Sequence, residues 1–109
     1  MDIEIYKALS DESRQRIFNL LMQRELCVCE IEKILEMSQS NVSRHLNKLK
    51  NANMVVSKKD SQWAYYSISD TFINNNHYLY EHLCHSYTKN DILLQDRDKL
   101  HATKQANCD

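Results

Sequence analysis

The 109-residue sequence contains no glycine and no proline, and this double absence limits what the chain can be. Loops that hold the phosphates of a nucleotide depend on glycine, so a nucleotide-binding loop of that kind is excluded. A chain without either residue favours helices joined by short polar connections. Its length is that of one domain with a small core, and such a domain is only marginally stable alone, so we expect a second copy to pair with it.

Long hydrophobic runs are also missing. No apolar stretch approaches the length that spans a bilayer, and no signal-peptide pattern opens the sequence. We therefore expect a cytoplasmic protein with no membrane partner. The sequence has four cysteines, and in a reducing compartment cysteines bind metals or react more often than they form disulfides.

Acidic residues are absent between residues 37 and 59, although the chain as a whole carries a net charge of −1. Because the overall charge says little about DNA binding, the local distribution has to carry that argument. The basic residues of this segment are Arg44, Lys48, Lys50, Lys58 and Lys59. They make a local positive surface on a slightly acidic chain.

Residues 38–50 predict a helix that is presented to DNA. Val42, Leu46 and Leu49 recur at helical spacing, and Ser38 is a good N-cap before that pattern begins. The outer surface carries the side-chain types that reach base edges and phosphates. These candidate DNA contacts are Gln39, Ser40, Asn41, Ser43, Arg44 and Lys48. The alternative is a solvated amphipathic helix whose polar face binds nothing.

The next segment predicts a β-hairpin. Residues 54–59 and 62–68 carry bulky strand-forming side chains on either side of a polar turn at Asp60 and Ser61. Lys58, Lys59 and Gln62 lie near its tip, so the hairpin could act as a wing that touches phosphate or the minor groove. The alternative is an ordinary edge hairpin whose lysines prevent aggregation.

Helices are predicted before this pair. Residues 2–9 form a short amphipathic helix, and Ser10 and Asp11 cap a longer one that ends near residues 23–25. Residues 26–31 open a third helix. Its predicted buried stripe is Val28, Ile31, Ile34 and Leu35. A break at residues 36–38 then gives a helix-turn-helix arrangement.

After the hairpin, Ser69 and Asp70 cap a further helix that continues to about Tyr87, and a polar tail with a last short helix follows. The apolar faces of this helix and of the first helix have no evident cover in so small a chain. We therefore predict a homodimer through the first and the last long helices. The predicted fold is mainly α with a β-hairpin, a winged helix-turn-helix domain over residues 1–88 and a polar C-terminal extension over residues 89–109.

Cys27 and Cys29 stand where the third helix begins, with Cys27 at the N-cap and Cys29 in the first turn. A helix N-terminus lowers the pKa of a thiol, so we expect both to carry more thiolate at neutral pH. Residues two apart in a regular helix point to nearly opposite sides. One ion could then bind both sulfurs only by deforming the first turn, which would strain the helix that supports the DNA-reading helix.

With these elements in order, residues 3–88 resemble the ArsR/SmtB family of winged-helix metalloregulators. Residues 8–17 are similar to the family's opening, and residues 41–46 match its Ser-x-His-Leu-type recognition helix. Residues 25–30, Glu-Leu-Cys-Val-Cys-Glu, resemble the metal-binding box of its arsenic- and antimony-responsive repressors. The resemblance implies a repressor that binds operator DNA without ligand and is released by trivalent arsenic or antimony at Cys27 and Cys29.

In that subgroup the box continues to a third cysteine, and here Glu32 stands at its position. A carboxylate is a poor ligand for a soft trivalent arsenical. Three alternatives remain open. Cys84 or Cys108 could supply a third sulfur, also from a partner subunit. Two thiolates could suffice if water or hydroxide completes the site. The inducer could also be a methylated or aromatic trivalent arsenical, which offers only two exchangeable positions.

The cysteine pair could also sense a different ion or oxidation, and a different class of function is possible. The cysteine pair could bind zinc, cadmium or lead, or act as a redox switch. Zinc and nickel sensors of the resembled family carry an Asp-x-His pair on the last long helix, but Asp70 is followed by Phe72 at that spacing, so His77, His82 and His85 are interpreted as surface residues. His45 is interpreted as a packed, hydrogen-bonded histidine. A thiol oxidoreductase is disfavoured because the sequence has no Cys-x-x-Cys motif, and we expect no enzymatic activity.

Overall fold

The computed structural model describes residues 2–103. The elements follow one another as α1 (Ile3–Leu9), α2 (Glu12–Gln23), β1 (Leu26–Cys27), α3 (Val28–Leu35), α4 (Gln39–Asn51), β2 (Val55–Asp60), β3 (Trp63–Ile68), α5 (Asp70–Asn75), α6 (His77–Tyr87) and α7 (Asp91–Ala102). The predicted starts of α2 and α4 are confirmed, because Asp11 and Ser38 accept hydrogen bonds from the first-turn backbone as N-caps.

Within residues 2–103, three residues that carry a Cβ adopt positive φ at turns of this glycine-free chain. Glu36, between α3 and α4, has φ 55°, and Asn53 after α4 and Ser61 in the hairpin turn both have φ 60°. Left-handed backbone costs a residue with a Cβ some free energy, and Asn tolerates it best. Asn53 directly follows Ala52, the C-cap of α4, where a left-handed residue commonly ends a helix.

The sheet has three antiparallel strands in the order β1-β3-β2. The predicted hairpin is present, with Asp60 opposite Trp63 at its tip. The short strand β1 was not predicted, because two residues are too few to show an alternating pattern. Leu26 pairs with Tyr66 and Cys27 pairs with Tyr65, so the start of the cysteine segment is joined to the hairpin.

The core lies between α2 and α4, with α3 and α5 packed against them. All three residues of the predicted apolar stripe on α4, Val42, Leu46 and Leu49, are fully buried. Phe18 of α2 meets Phe72 of α5 edge-on, with ring centroids 5.9 Å apart. This packing holds α4 so that its opposite face points outward.

The prediction of a single helix that continues to about Tyr87 is wrong, because the structure has two helices there, α5 and α6. The helix is interrupted at Asn76, the last of three consecutive asparagines, which has φ −130° and ψ 45°. Asparagine side chains compete for backbone hydrogen bonds, and the Asn76 side chain donates to the Phe72 carbonyl oxygen at 3.2 Å. The expected surface positions of His77, His82 and His85 on α6 are confirmed.

The segment predicted as a polar extension contains α7, which packs against α2 and α3. Leu93 and Leu100 of α7 are buried. Arg16 of α2 donates to both carboxylate oxygens of Asp96, at 2.8 and 3.0 Å. Because of its buried leucines and this bidentate ion pair, α7 is part of the core rather than an appended tail.

The short helix α1 is partly covered within its own chain, contrary to the expectation that only a second copy could cover it. Ile5 and Ala8 are buried, and α1 packs against α2 and α4. Ile3 of α1 is 63% exposed and Tyr78 of α6 is 86% exposed, so apolar surface remains on both helices. Within residues 2–103, none of the helices combines the length and the apolar character needed to cross a membrane.

Candidate DNA-binding surface and cysteine site

The outward face of α4 carries the candidate DNA contacts of the sequence analysis. Five of them are exposed and Ser43 is half-buried; the exposed ones are Gln39, Ser40, Asn41, Arg44 and Lys48. Arg44 Nη2 donates to Asn41 Oδ1 at 3.2 Å, one helical turn back. This contact holds the guanidinium against the helix surface instead of leaving it fully mobile.

The hairpin places Lys58, Lys59 and Gln62 on its exposed end, as predicted for the wing. Lys50 Nζ at the end of α4 donates to Ser57 Oγ of β2 at 2.8 Å. Sequence reasoning counted Lys50 as part of the basic segment but did not see that it joins helix and hairpin. Because of that bond and of the packing between α4 and β2, the two basic elements form one surface.

The inward face of α4 is held by a polar contact as well as by apolar packing. His45 is buried, and burial lowers its pKa. Its Nδ1 lies 3.3 Å from Arg14 Nη1 of α2. The interpretation of His45 as a packed, hydrogen-bonded residue is therefore confirmed.

Cys27 and Cys29 lie together at the start of α3, with their sulfurs 3.0 Å apart. The expectation that the two side chains would point to opposite sides is wrong. It assumed helical backbone at both residues, but Cys27 is the N-cap and has extended φ −89° and ψ 164°. The side chain of Cys27 therefore leaves the regular helical arrangement and turns toward that of Cys29.

The expected lowering of the thiol pKa is also wrong for Cys27. Its side chain is buried, and burial raises its pKa because a thiolate would lose its hydration there. The neighbouring Glu30 carboxylate adds to this effect. The helix N-terminus acts in the opposite direction but does not outweigh these two causes.

Glu30 is a buried acid that sequence reasoning did not select. It forms a capping box with Cys27, in which the Cys27 N–H donates to Glu30 Oε1 at 3.0 Å. Arg24 Nη2 lies 3.6 Å from Glu30 Oε2 and balances part of its charge. A glutamate three residues after the N-cap is the signal that could have identified this contact.

A cavity of about 240 Å³ opens beside the two sulfurs. Its walls come from α3, from the first residue of α4 and from the hairpin. The lining residues are Cys27, Val28, Cys29, Glu32, Gln39, Gln62, Trp63 and Ala64. The cysteine pair thus faces both elements of the candidate DNA-binding surface, an arrangement that the linear sequence did not reveal.

The third ligand is not brought to this cavity within one chain. Among residues 2–103, no three or more His, Cys, Asp and Glu side chains come together as a metal-holding group. Cys84 is half-buried on α6, where its neighbours include Tyr80 and Tyr87. Burial raises the pKa of both tyrosines, that of Tyr87 to about 12. Cys108, the other candidate, lies outside the described residues.

Comparisons with known proteins decide the family. Residues 11–57 match the model of bacterial regulatory proteins of the arsR family. The arsenical resistance operon repressor of Bacillus subtilis is 38% identical over 85 residues, which are 77% of this chain and 79% of that protein. The chain belongs to the ArsR family. The cadmium resistance regulatory protein CadC of Listeria innocua is 44% identical over 71 residues, 64% of this chain and 60% of that protein.

The share of each relative that the chain covers varies. The chain spans 51% of the arsenic resistance transcriptional regulator ArsR1 of Pseudomonas putida and 79% of the Bacillus repressor. Among solved structures, HlyU from Vibrio cholerae is 33% identical with a TM-score of 0.63, covering 74% of this chain and 88% of HlyU.

A homodimeric winged helix-turn-helix DNA-binding domain from Mycobacterium bovis has a TM-score of 0.66 at 24% identity, covering 80% of this chain and 81% of that domain, and supports the fold alone. The predicted winged helix-turn-helix fold is confirmed. Family and fold are those of DNA-binding transcriptional regulators.

Proposed function

We propose that this ArsR-family protein is a homodimeric repressor that binds operator DNA in its ligand-free state and is released by trivalent arsenic or antimony at Cys27 and Cys29. The observation that carries the proposal is the 3.0 Å separation of the two sulfurs, in a cavity that the DNA-reading helix and the hairpin help to line. A repressor of this kind would act in the cytoplasm, where its operator is.

The DNA-binding half of the proposal rests on one continuous basic and polar surface. Gln39, Ser40, Asn41, Ser43, Arg44 and Lys48 of α4 would contact base edges and phosphates, and Lys58, Lys59 and Gln62 of the hairpin would contact the flanking backbone or minor groove. Lys50 supports the geometry, because its bond to Ser57 keeps the hairpin beside the helix.

The dimer is supported by the apolar surface that remains on α1 and α6. Ile3 and Tyr78 are exposed there, although α1 is otherwise packed on its own chain. A twofold pair would cover these side chains and present two α4 helices to DNA. The Mycobacterium bovis domain with the same fold is homodimeric.

The ligand half rests on the chemistry of two adjacent sulfurs. Thiolates are the ligands that soft, thiophilic ions prefer. Metal–sulfur bonds are about 2.3 Å long for an ion such as zinc, so one ion bridges two sulfurs that are up to about 4.6 Å apart. The observed pair already lies within that range, and binding requires a small adjustment rather than a reversal of one side chain.

The coupling to DNA is proposed to run through the walls of the cavity. Gln39 begins α4, and Gln62 and Trp63 stand where the hairpin turns back. Cys27 is also paired with Tyr65 in the sheet. A ligand that enlarges or reshapes this cavity pushes on both DNA-contacting elements, and an almost complete switch needs roughly 5.5 kcal/mol of differential affinity.

The third ligand position stays open among the sequence-based alternatives. The cavity has room beside the sulfurs for water, hydroxide or the organic group of an arsenical, and the Glu32 carboxylate lines it. A sulfur from Cys84 or Cys108 would have to come from a different arrangement or from the partner subunit.

Cadmium or another divalent thiophilic ion is the second candidate inducer. Two observations favour it: the 44% identity with the cadmium resistance regulator of Listeria innocua, and the presence of a carboxylate at the usual third sulfur position, which suits a divalent ion better than arsenic. The DNA-binding part of the proposal is the same for both inducers.

The test begins with an operator selected from random-sequence DNA by the reduced, ligand-free protein. Arsenite, antimonite, phenylarsenite, cadmium and zinc are then titrated into the complex, while Trp63 fluorescence reports on the cavity and an electrophoretic shift reports on DNA. We expect the trivalent arsenic and antimony compounds to release DNA and Cys29→Ser to stay bound throughout. Cys84→Ser is the matched control for loss of one thiol and should respond normally if two sulfurs suffice.

The outcomes separate the candidates. Release of the wild type by cadmium but not by arsenite would exclude the arsenical and support the second candidate. Normal induction of Cys29→Ser by arsenite would contradict the ligand assignment itself. Loss of response in Cys84→Ser as well as in Cys29→Ser would assign the third sulfur to Cys84.

A further inference from the structure

We propose that Arg14 is a positioning residue that ties the end of α1 to the DNA-reading helix α4, and so sets the distance between the two α4 helices of a dimer. The inference rests on the proposed twofold binding of operator DNA, but it is independent of the identity of the inducer. It assigns a role to a part-buried arginine that contacts neither the candidate DNA-binding surface nor the cysteine cavity.

The guanidinium of Arg14 contacts two elements besides its own helix. Nε donates to the Ala8 carbonyl oxygen at 2.7 Å, and Nη2 donates to the Lys7 carbonyl oxygen at 3.1 Å. Nη1 lies 3.3 Å from His45 Nδ1. The Arg14 side chain is only 13% exposed, and its contacts with Ala8 and His45 are part-buried, whereas the bond to Lys7 is exposed.

The contacts with α1 occur at the end of the helix, where carbonyl groups have no partner inside the helix. A positive group is favourable at that end, because it faces the negative end of the helix dipole. Gln15 Nε2 supports the same end by donating to the Leu9 carbonyl oxygen at 2.7 Å. A seven-residue helix has little stability of its own, so contacts with the rest of the chain have to orient it. The Arg14 bonds join α1 to α4 as well as to α2, whereas the Gln15 bond supports only the end of α1.

The contact with α4 has a defined direction. A guanidinium only donates hydrogen bonds, so His45 Nδ1 is the acceptor and its ring proton is on Nε2. His45 stands between the exposed Arg44 and the buried Leu46 on the same helix. A shift of His45 relative to α1 would therefore move the side chains that are proposed to contact DNA.

These two sets of contacts make Arg14 the link between a helix of the proposed dimer interface and the helix proposed to read DNA. In a twofold dimer, the position of α4 relative to α1 determines the separation of the two reading helices. That separation has to match half-sites about one helical turn of DNA apart, and one base pair changes it by about 3.4 Å. Loss of the link should reduce the preference for one half-site spacing.

The test compares the selected operator with versions whose centre is one base pair longer or shorter. His45→Asn keeps an acceptor near the position of Nδ1, whereas His45→Leu fills a similar volume without one. We expect the ratio of affinities for correct and altered spacing to stay near the wild-type value in His45→Asn. In His45→Leu it should fall by about tenfold, the value of one charge-assisted hydrogen bond.

Variants of α2 supply a second, independent comparison. Arg14→Gln should lose about as much spacing preference as His45→Leu, and the double variant should lose no more than either, because both remove the same link. Gln15→Ala is the matched control: it removes a neighbouring bond to the end of α1 but none to α4, so its spacing preference should stay. Molar mass in solution and thermal melting are recorded for each variant.

The proposal is overturned if His45→Leu or Arg14→Gln folds, dimerises and keeps the wild-type spacing ratio. It is also overturned if Gln15→Ala loses the ratio as Arg14→Gln does, since the effect would then be general loosening of α1. If His45→Leu does not fold, Arg14→Gln and Gln15→Ala still decide. A wild type that is monomeric or that binds no operator would instead contradict the proposed function.

Discussion

The ion pair between α2 and α7 gives the most direct test that residues 91–102 belong to the core. Asp96 accepts from Arg16 Nε at 2.8 Å and from Nη2 at 3.0 Å. The Asp96 side chain is 2% exposed and that of Arg16 is 25% exposed. The perturbation is Asp96→Ala, which removes both bonds and leaves the guanidinium without its partner.

The magnitude follows from this burial. Removing one partner of a fully buried ion pair costs about 3–5 kcal/mol, because the remaining charge is uncompensated. Water reaches part of Arg16 and reduces that penalty, so we expect the free energy of unfolding to fall by about 2–3 kcal/mol. Asp98→Ala removes an exposed acid from the same helix, with the same gain in helix propensity, and should change stability by about 0.5 kcal/mol or less.

Urea unfolding at pH 7, followed by far-ultraviolet circular dichroism, measures both variants. With a slope of about 1–3 kcal/mol per molar urea, the midpoint of Asp96→Ala should be about 0.7–3 M lower than that of Asp98→Ala. The double variant Arg16→Met with Asp96→Leu should recover most of the loss, since two apolar side chains can replace a buried ion pair. If Asp96→Ala and Asp98→Ala unfold within about 0.5 kcal/mol of each other, α7 is not held as described.

Two further predictions concern the candidate DNA-binding helix. Arg44→Ala should weaken operator binding by about 1–3 kcal/mol per half-site while arsenite still changes Trp63 fluorescence at the wild-type concentration; an unchanged operator affinity would remove Arg44 from the contact surface. Burial lowers the pKa of His45, with Asp11 opposing this shift and Arg44 and Arg14 adding to it. The unfolded chain therefore takes up the His45 proton first, and the free energy of unfolding should fall as the pH drops below the ordinary histidine value of about 6.5. His45→Asn should flatten that part of the urea-midpoint profile, whereas substitution of the exposed His82 by Asn should leave it unchanged.

Much of the fold was readable because its signals are local. The N-caps Asp11 and Ser38, the stripe Val42-Leu46-Leu49 and the hairpin turn at Ser61 each depend on neighbours within a few residues, and each is found where the pattern predicted it. The break of the predicted long helix at Asn76 was missed although its signal was present. Apolar spacing across the break concealed the run of three asparagines.

The candidate site was only partly readable, since its chemistry depends on contacts distant in the sequence. The Cys-x-Cys pair and the basic helix were selected from the sequence. The cavity that joins them depends on Trp63, which is 34 residues from Cys29, and on a two-residue strand that no periodicity can reveal. The family relationship then supports the regulator class, while the identity of the inducer is a proposal.

The sequence by itself determined the hairpin and most of the helices, which face of α4 is polar, and that two cysteines stand at the start of α3, because these follow from residue type and short spacing. Tertiary structure alone decided that the Cys27 and Cys29 sulfurs lie together, that burial raises the Cys27 pKa, and that α7 is locked to α2. These last features depend on backbone angles at one N-cap, on loss of hydration and on an ion pair across 80 residues. No local pattern encodes them.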